Sequence, residues 1–172
     1  STRTRVSFAV GIADLGGVPL IIDAQSSQLG VKESVADTAR VLDRQVAQIV
    51  WRTYAQSGLE EMASNSKVPV INSLSDDYHP CQLLADLLTI REYKGELAGL
   101  KLVYVGDGNN MANSTMLAGA MAGMHVVICT PEKYKPSSAV LSEAKQIANN
   151  TGGSVELSSD PFHAVANADV IS

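Results

Sequence analysis

The chain begins with polar residues of the kind that bind a phosphate. Ser1-Thr2-Arg3-Thr4-Arg5 precedes an apolar run in which Val6 and Val10, and likewise Phe8 and Ile12, are four residues apart, and this spacing predicts a helix. A Ser or Thr just before such a run is a helix-start signal. The helix N-terminus would therefore carry hydroxyls, guanidinium groups and unpaired backbone amides, which together suit a dianion. The alternative interpretation is a capped surface helix with two solvated arginines.

Further polar residues fall where predicted strands lead into loops or helices. Arg52 ends a strand, His79 and Gln82 begin the helix after the next strand, and Asp107 to Asn110 follow another; Gln28 lies in a long loop. In open parallel sheets, ligands bind outside the carboxyl ends of the strands. Each residue alone has an ordinary explanation: a solvated arginine, or a helix cap for His79 and Asn110. Together they predict one cleft between the two halves of the chain.

The elements that must position these residues alternate along the chain. After the opening helix, which ends at Leu15-Gly16-Gly17, strands are predicted at 18–22, 48–51, 68–72, 101–105, 125–129, 154–157 and 168–171, and helices at 34–45, 58–64, 80–93, 110–123, 137–150 and 161–166. Strands that alternate with helices at this spacing predict an α/β fold with parallel sheets. Gly95 to Gly99 interrupts the pattern, which divides the chain into domains at 1–94 and 95–172, joined by the long helix at 80–93.

Composition excludes several classes of protein. Hydrophobic residues make up 45% and charged residues 18%, the balance of an ordinary globular protein, and the net charge of −5 argues against a general nucleic-acid binder. Residues 1–52 hold six Lys/Arg against five Asp/Glu, so this third is near neutral in an acidic chain. No apolar run has the length of a membrane span. Two separated cysteines, Cys81 and Cys129, indicate a reducing, cytoplasmic setting rather than a disulfide framework.

Three other kinds of site fit poorly. A thiol nucleophile at Cys81 with His79 as its base would place both groups in one tripeptide, whereas such pairs usually meet across a fold. Three scattered histidines and two cysteines are too few for a metal site, so none is expected. Gly106 to Asn110 contains Gly-x-Gly, but Met111 stands at the third glycine of a dinucleotide fingerprint and no acidic residue ends the next strand. No cofactor is therefore expected.

Several motifs together resemble one known family, the aspartate/ornithine carbamoyltransferases. The residues that carry the resemblance are the opening pentapeptide, Gln28-Leu29-Gly30 with Lys32-Glu33-Ser34, Asp37-Thr38-Ala39-Arg40-Val41-Leu42, Arg52 and His79-Pro80-Cys81-Gln82. They occur in family order and spacing across practically the whole chain. Two of the motifs are more similar to the ornithine-specific members than to the aspartate-specific ones: residues 79–82 and 106–111.

The resemblance implies an enzyme without a cofactor. It would move the carbamoyl group of carbamoyl phosphate to the side-chain amine of L-ornithine, giving L-citrulline and phosphate. By family pattern the catalytic residues are Arg3, Thr4 and His79, which donate to the carbonyl oxygen. Carbamoyl phosphate would be bound by Ser1, Thr2, Arg3, Thr4, Gln28, Arg52, His79 and Gln82. Ornithine would be bound through Asn110.

The resemblance also implies an assembly and a larger polypeptide. Family members form trimers, in which the glutamine that matches Gln28 reaches into the site of a neighbouring subunit. The family pattern has a segment before Ser1 and further motifs after Ser172, so the chain is expected to be an internal segment. Those later motifs distinguish the amine, which leaves putrescine or aspartate open as acceptors. A non-catalytic, anion-binding α/β module is the alternative from a different class.

Overall fold

The computed structural model describes residues 2–23 and 33–172, and these residues fall into two compact units. The first unit lies within residues 1–51 and 57–73, and the second comprises residues 52–56 and 74–172. The elements are α1 (Thr2–Asp14), α2 (Val35–Leu42), β1 (Ile49–Arg52), α3 (Gln56–Asn65), β2 (Val70–Leu74), α4 (Pro80–Lys94), β3 (Lys101–Val105), α5 (Asn110–Met121), β4 (His125–Cys129), a 3₁₀ turn (Glu132–Tyr134), α6 (Ser138–Thr151), β5 (Ser154–Ser158), α7 (Pro161–Val165) and β6 (Val170–Ile171).

The first unit has a small core beside a two-stranded sheet. Strands β1 and β2 pair, and the buried side chains of Ala39, Ile49 and Met62 form one cluster between this sheet and helices α2 and α3. Helix α2 begins at Ser34, whose hydroxyl accepts from the Asp37 amide at 3.0 Å. Such a cap satisfies one of the amides that a helix N-terminus leaves without a partner.

The strand predicted at 18–22 is wrong. Residues 18–22 form neither helix nor strand, and Leu20, Ile21 and Ile22 are more than half exposed. An apolar run becomes a buried strand only where a neighbouring strand pairs with its backbone. Neither sheet of the described residues includes residues 18–22, so the apolar composition of this run was not enough to predict a strand.

The second unit contains a four-stranded parallel sheet in the order β5-β4-β3-β6. Side chains alternate between its two faces, as the period of a strand requires. Leu102 and Tyr104 pack with α5 and α6 on one face, whereas Val103 packs with Cys129 and Ala164 of α7 on the other. This confirms the α/β fold with parallel strands that the alternation predicts.

Strand order determines where a ligand can approach this sheet. The chain passes from β3 through β4 to β5 in one direction, then returns through α7 to place β6 on the opposite side of β3. The carboxyl end of β3 is therefore at the topological switch point, where doubly wound sheets bind their ligands. The turn from β3 into α5, residues 106–110, lies at this end.

Helix α4 begins at Pro80 and ends before Gly95, whose φ of 87° suits a residue without Cβ. Its side chains Leu83 and Ile90 are buried, and Leu87 packs against the core formed with α5. Leu84, by contrast, is 69% exposed. The helix therefore buries one apolar face and leaves a second one uncovered in the described residues.

Candidate functional site

The first turn of α1 has the groups predicted for an anion site. Thr2, Arg3 and Thr4 occupy this turn, where the backbone amides of a helix have no intrahelical partner, and no acidic residue is present. Among the described residues Arg3 forms no ion pair, whereas Arg5 pairs with Asp23 at 2.9 Å. Arg3 is thus the arginine of this turn whose charge is not already neutralised by a carboxylate. Ser1 lies outside the described residues.

A shallow groove of about 570 Å³ runs along α1. Its lining residues repeat at helical spacing along one helix face: Thr2, Arg3, Val6, Ser7, Val10, Gly11 and Asp14. Apart from Arg3 it offers no cation, and Val6 and Val10 make its centre apolar. The groove therefore has its anion-binding groups, Thr2 and Arg3, only at the helix start, and its apolar centre does not suit a dianion.

A tight turn precedes His79 in the second unit. The Ser75 amide donates to the Tyr78 carbonyl at 2.8 Å, and the Ser75 hydroxyl accepts from the Tyr78 amide at 3.1 Å. The same hydroxyl lies 2.8 Å from Gln56 Oε1, to which it donates. Ser75 is fully buried. Because these bonds fix the backbone on both sides of residues 76 and 77, they also fix the point at which α4 starts.

His79 is the residue that immediately precedes α4. Its backbone is not helical, with φ −134° and ψ 66°, and its amide donates to Ser114 Oγ at 2.8 Å. Burial lowers the pKa of the imidazole, the Arg52 guanidinium lowers it further, and the Asp86 carboxylate opposes the shift. The ring is therefore neutral at physiological pH. A neutral imidazole has one N–H donor and one acceptor nitrogen, so it can donate to a carbonyl oxygen.

Two further predicted site residues, Arg52 and Gln82, belong to the same unit as His79. Arg52 ends β1 with an exposed side chain, and its charge acts on His79. Gln82 is exposed in the first turn of α4 and donates from Nε2 to Asp86 Oδ1 at 2.9 Å. Burial raises the pKa of the Cys81 thiol, which disfavours the thiolate. The thiol-nucleophile alternative therefore gains no support from the structure.

The turn from β3 into α5 presents Asn110. The preceding residue, Asn109, caps the helix, because its Oδ1 accepts from the amides of Met111 at 2.8 Å and Ala112 at 3.3 Å. The interpretation of Asn110 as the cap is therefore wrong by one residue. The Asn110 side chain instead donates from Nδ2 to the Ser75 carbonyl at 2.7 Å, which leaves Oδ1 as an acceptor.

Sequence reasoning missed two residues of this region, Asn113 and Ser114. Both are less than a tenth exposed, and both bond to the segment before α4: Asn113 Nδ2 donates to the Asp77 carbonyl at 3.1 Å, and Ser114 accepts from His79. A signal was available. Consecutive polar residues in a helix whose neighbours Ala112 and Met116 are apolar require buried partners.

The structure groups the predicted residues by unit. Arg52, His79, Gln82 and Asn110 all belong to the second unit, whereas Thr2, Arg3 and Thr4 belong to the first. Gln28 lies outside the described residues. Residues 2–23 and 33–172 contain no group of three His, Cys, Asp or Glu side chains that could hold a metal ion. In the same part of the chain, every helix is too short or too polar to cross a membrane.

Comparison with known proteins defines the class to which this fold and these residues belong. The family model for the aspartate/ornithine carbamoyltransferase carbamoyl-P binding domain matches residues 1–92. The model for the Asp/Orn binding domain of the same family matches residues 98–172. The chain therefore belongs to the aspartate/ornithine carbamoyltransferase family.

Relatives named ornithine carbamoyltransferase are similar to the chain over nearly its whole length. One from Clavibacter michiganensis subsp. michiganensis is 67% identical over 99% of this chain and 56% of its own length. One from Methanocaldococcus jannaschii is 53% identical, with the same two coverages. The solved ornithine carbamoyltransferase from Pyrococcus furiosus superposes with a TM-score of 0.96 at 54% identity, over 99% of this chain and 55% of that one. The chain thus spans about half the length of the relatives that it matches.

Proposed function

We propose that the full-length protein containing this chain is an ornithine carbamoyltransferase. It would transfer the carbamoyl group of carbamoyl phosphate to the side-chain amine of L-ornithine, giving L-citrulline and phosphate. The observation that carries the proposal is the joining of segment 75–79 to α5 in a chain of this family: the His79 amide donates to Ser114 Oγ, and Asn110 Nδ2 donates to the Ser75 carbonyl. His79, the proposed donor to the carbonyl, and Asn110, the proposed receiver of the amino acid, thus lie on two stretches of chain that hydrogen bonds join.

Carbamoyl phosphate brings a dianionic phosphate, which the cationic and hydroxyl groups would bind. At the start of α1, the positive end of the helix dipole adds to the charge of Arg3 and to the hydroxyls of Thr2 and Thr4. Ser1, Arg52 and Gln28, the last from a neighbouring subunit, complete the set by family pattern. Phosphate would leave with its charge neutralised by the two arginines.

The transition state places negative charge on the carbonyl oxygen as the amine attacks. Arg3, Thr4 and His79 would donate to that oxygen, and removal of one such donor typically costs ~10²–10³ in rate. The lowered pKa of His79 keeps the imidazole neutral, so it donates one N–H. Gln82 would hold the carbamoyl amino group through Oε1, which can accept while Nε2 donates to Asp86. The attacking amine is itself the nucleophile, so positioning and charge stabilisation suffice without a covalent intermediate.

Asn110 would receive the amino-acid end of ornithine. Because Nδ2 donates to the Ser75 carbonyl, the side-chain amide is oriented with Oδ1 available as an acceptor. An ammonium group has only donors, so the α-amino group of an amino acid complements Oδ1. The backbone amides at the start of α5 favour a carboxylate nearby, since the positive end of the helix dipole points there.

The proposal extends to the organisation of the whole protein. Residues 1–94 would belong to a carbamoyl-phosphate domain and residues 95–172 to a Rossmann-like ornithine domain, with α4 as the long connecting helix. The protein would assemble as a homotrimer, or a multiple of trimers, in the cytoplasm. No nucleic acid, membrane, metal or cofactor is needed for the reaction.

The test is an assay of the full-length protein with carbamoyl phosphate and, separately, ornithine, putrescine and aspartate. Citrulline and phosphate should form in equal amounts, and His79→Ala should lose mostly turnover while phosphate still binds. His163→Ala is the matched control, because His163 is an exposed histidine of α7 outside the proposed site. It should retain normal activity.

Other results of this assay would change the proposed acceptor or the proposed function. Product with putrescine or aspartate alone would replace ornithine as the acceptor and keep carbamoyl transfer. If no amine is carbamoylated and His79→Ala changes nothing measurable, the anion-binding module is correct and the enzyme proposal fails.

A further inference from the structure

Three side chains from the first turns of α5 bond to alternate residues of the segment before α4. Asn110 Nδ2 donates to the Ser75 carbonyl at 2.7 Å, Asn113 Nδ2 donates to the Asp77 carbonyl at 3.1 Å, and Ser114 Oγ accepts from the His79 amide at 2.8 Å. We call these three bonds the α5 clasp. Every bond joins a side chain of α5 to backbone, so the clasp depends on side-chain identity in α5 only.

The clasp holds a part of the chain that has no regular structure of its own. Residues 75–79 lie between β2 and α4 and belong to neither. The non-helical φ and ψ of His79, and the absence of a side-chain cap from its ring, mean that the α4 ladder does not determine its conformation. Ser114 is only 5% exposed, so water cannot readily replace its hydroxyl as the acceptor for the His79 amide.

On this geometry we infer that Ser114 is a positioning residue that sets the location of the His79 ring, and that the α5 clasp couples the amine-binding Asn110 to His79. The inference rests on the proposed function, in which His79 donates to the carbonyl oxygen. Ser114 touches no substrate. It acts through the backbone of His79, whose amide lies one peptide before the Pro80 that starts α4.

Coupling follows from the shared segment. A ligand that pulls on the Asn110 amide shifts the Ser75 carbonyl, and the Ser75 turn determines the path of the chain to His79. The amino acid and the carbonyl are thus recognised by groups that cannot move independently. Binding of the amino acid at Asn110 would thus help to position His79, the residue that donates to the carbonyl oxygen under attack.

The test compares three variants in the full-length protein. Ser114→Ala removes the acceptor, Ser114→Thr retains a hydroxyl, and Thr151→Val is the matched control. Thr151 likewise makes a side-chain bond to the backbone of α5, at Ala120, but at the opposite end of the helix. Groups that orient metal ligands typically contribute about 10- to 100-fold to activity, and we expect the same order for a group that orients His79.

We expect Ser114→Ala to lower kcat by about that factor with little change in KM for carbamoyl phosphate, and Ser114→Thr to restore most of it. Thr151→Val should keep normal kcat at a temperature where all variants are folded. Equal losses in Ser114→Ala and Thr151→Val would overturn the inference, because a general loss of packing would then explain both. Should Ser114→Ala fail to fold, Ser114→Cys keeps a weak acceptor and serves in its place.

A double-mutant cycle separates positioning from a merely structural role. If Ser114 acts through His79, adding Ser114→Ala to His79→Gln should cost almost nothing further, since residues that act as one unit are not additive. Full additivity would overturn the inference. Citrulline formation by the unmodified protein tests the proposed function separately.

The His79 ring itself provides a readout without turnover. Its NMR titration midpoint should rise towards 6.5 in Ser114→Ala, since a released ring is more solvated, while Arg52 and Asp86, the charged groups that act on the ring, remain in place. Thr151→Val should not move it. An unchanged midpoint in Ser114→Ala would overturn the inference even in an inactive protein.

Discussion

Gly108 should tolerate no side chain, and its replacement should impair both the stability of the fold and the proposed amino-acid site around Asn110. A Cβ added there would lie 2.2 Å from Pro136 N, 2.4 Å from the Lys135 carbonyl carbon and 2.5 Å from the Tyr134 carbonyl oxygen. All three are backbone atoms, so no rotamer change relieves the overlap. The Gly108 amide also donates to that Tyr134 carbonyl at 2.6 Å. Gly108→Ala must therefore separate two loops that are in direct contact.

Two known costs set the expected magnitude. Overpacking in a closed environment costs about 1–3 kcal/mol. Loss of one backbone hydrogen bond adds about 0.5–1.5 kcal/mol. The sum, about 1.5–4.5 kcal/mol, would lower the unfolding midpoint of a protein this size or larger by several degrees. Because Asn110 is only two residues away, the displaced turn should also raise KM for ornithine while the binding of carbamoyl phosphate is retained.

Urea unfolding and steady-state kinetics on the full-length protein measure both effects. Gly58→Ala is the matched control, because the nearest atom to its added Cβ is the Trp51 ring at 3.3 Å, a contact that a small ring movement relieves. It should change stability by less than about 1 kcal/mol. If Gly108→Ala is as stable as the unmodified protein and its KM for ornithine is normal, the inferred contact between the two loops is wrong.

Two further predictions concern ionisable groups near α4. The NMR titration midpoint of His79 should lie below 6.5, should rise in Arg52→Gln and should fall in Asp86→Asn. Since the folded pKa is below the unfolded one, the stability contribution is fully present above about 6.5 and is lost as pH falls through the folded value. Cys81→Ala should retain most activity, because burial disfavours the thiolate; a loss on the order of 10⁶-fold in kcat would restore the thiol-nucleophile alternative.

The sheet of the second unit was predictable because its strands bury both faces. Leu102, Val103 and Tyr104 are all apolar, and a short apolar run between turn signals is typical of a central parallel strand. The same rule gave a wrong strand at residues 18–22. An apolar pattern indicates that a segment can be buried. Whether the segment becomes a strand depends on a neighbouring strand with which its backbone can pair, and the segment's own sequence does not reveal such a partner.

The sequence was enough to single out candidate site residues, but it did not reveal the hydrogen bonds that join them. His79 and Asn110 could be singled out because each follows a predicted strand. That Asn109 caps α5 while Asn110 bonds to Ser75 could not be read from two adjacent asparagines, since both have the same side chain. Ser114 was missed because its partner is a backbone amide 35 residues away. The division of domains at 94 and 95, and the roles of the substrate-binding residues, stay predictions.

The position of β3 inside its sheet also dictates an order of events during synthesis. On one side β3 pairs with β4, which leaves the ribosome soon after it; on the other it pairs with β6, at residues 170 and 171. Until those residues emerge, the nascent chain carries β3 as an open edge, with an unpaired row of amides and carbonyls beside the turn that holds Asn110. The proposed amino-acid site is therefore among the last parts of this chain to acquire its final support.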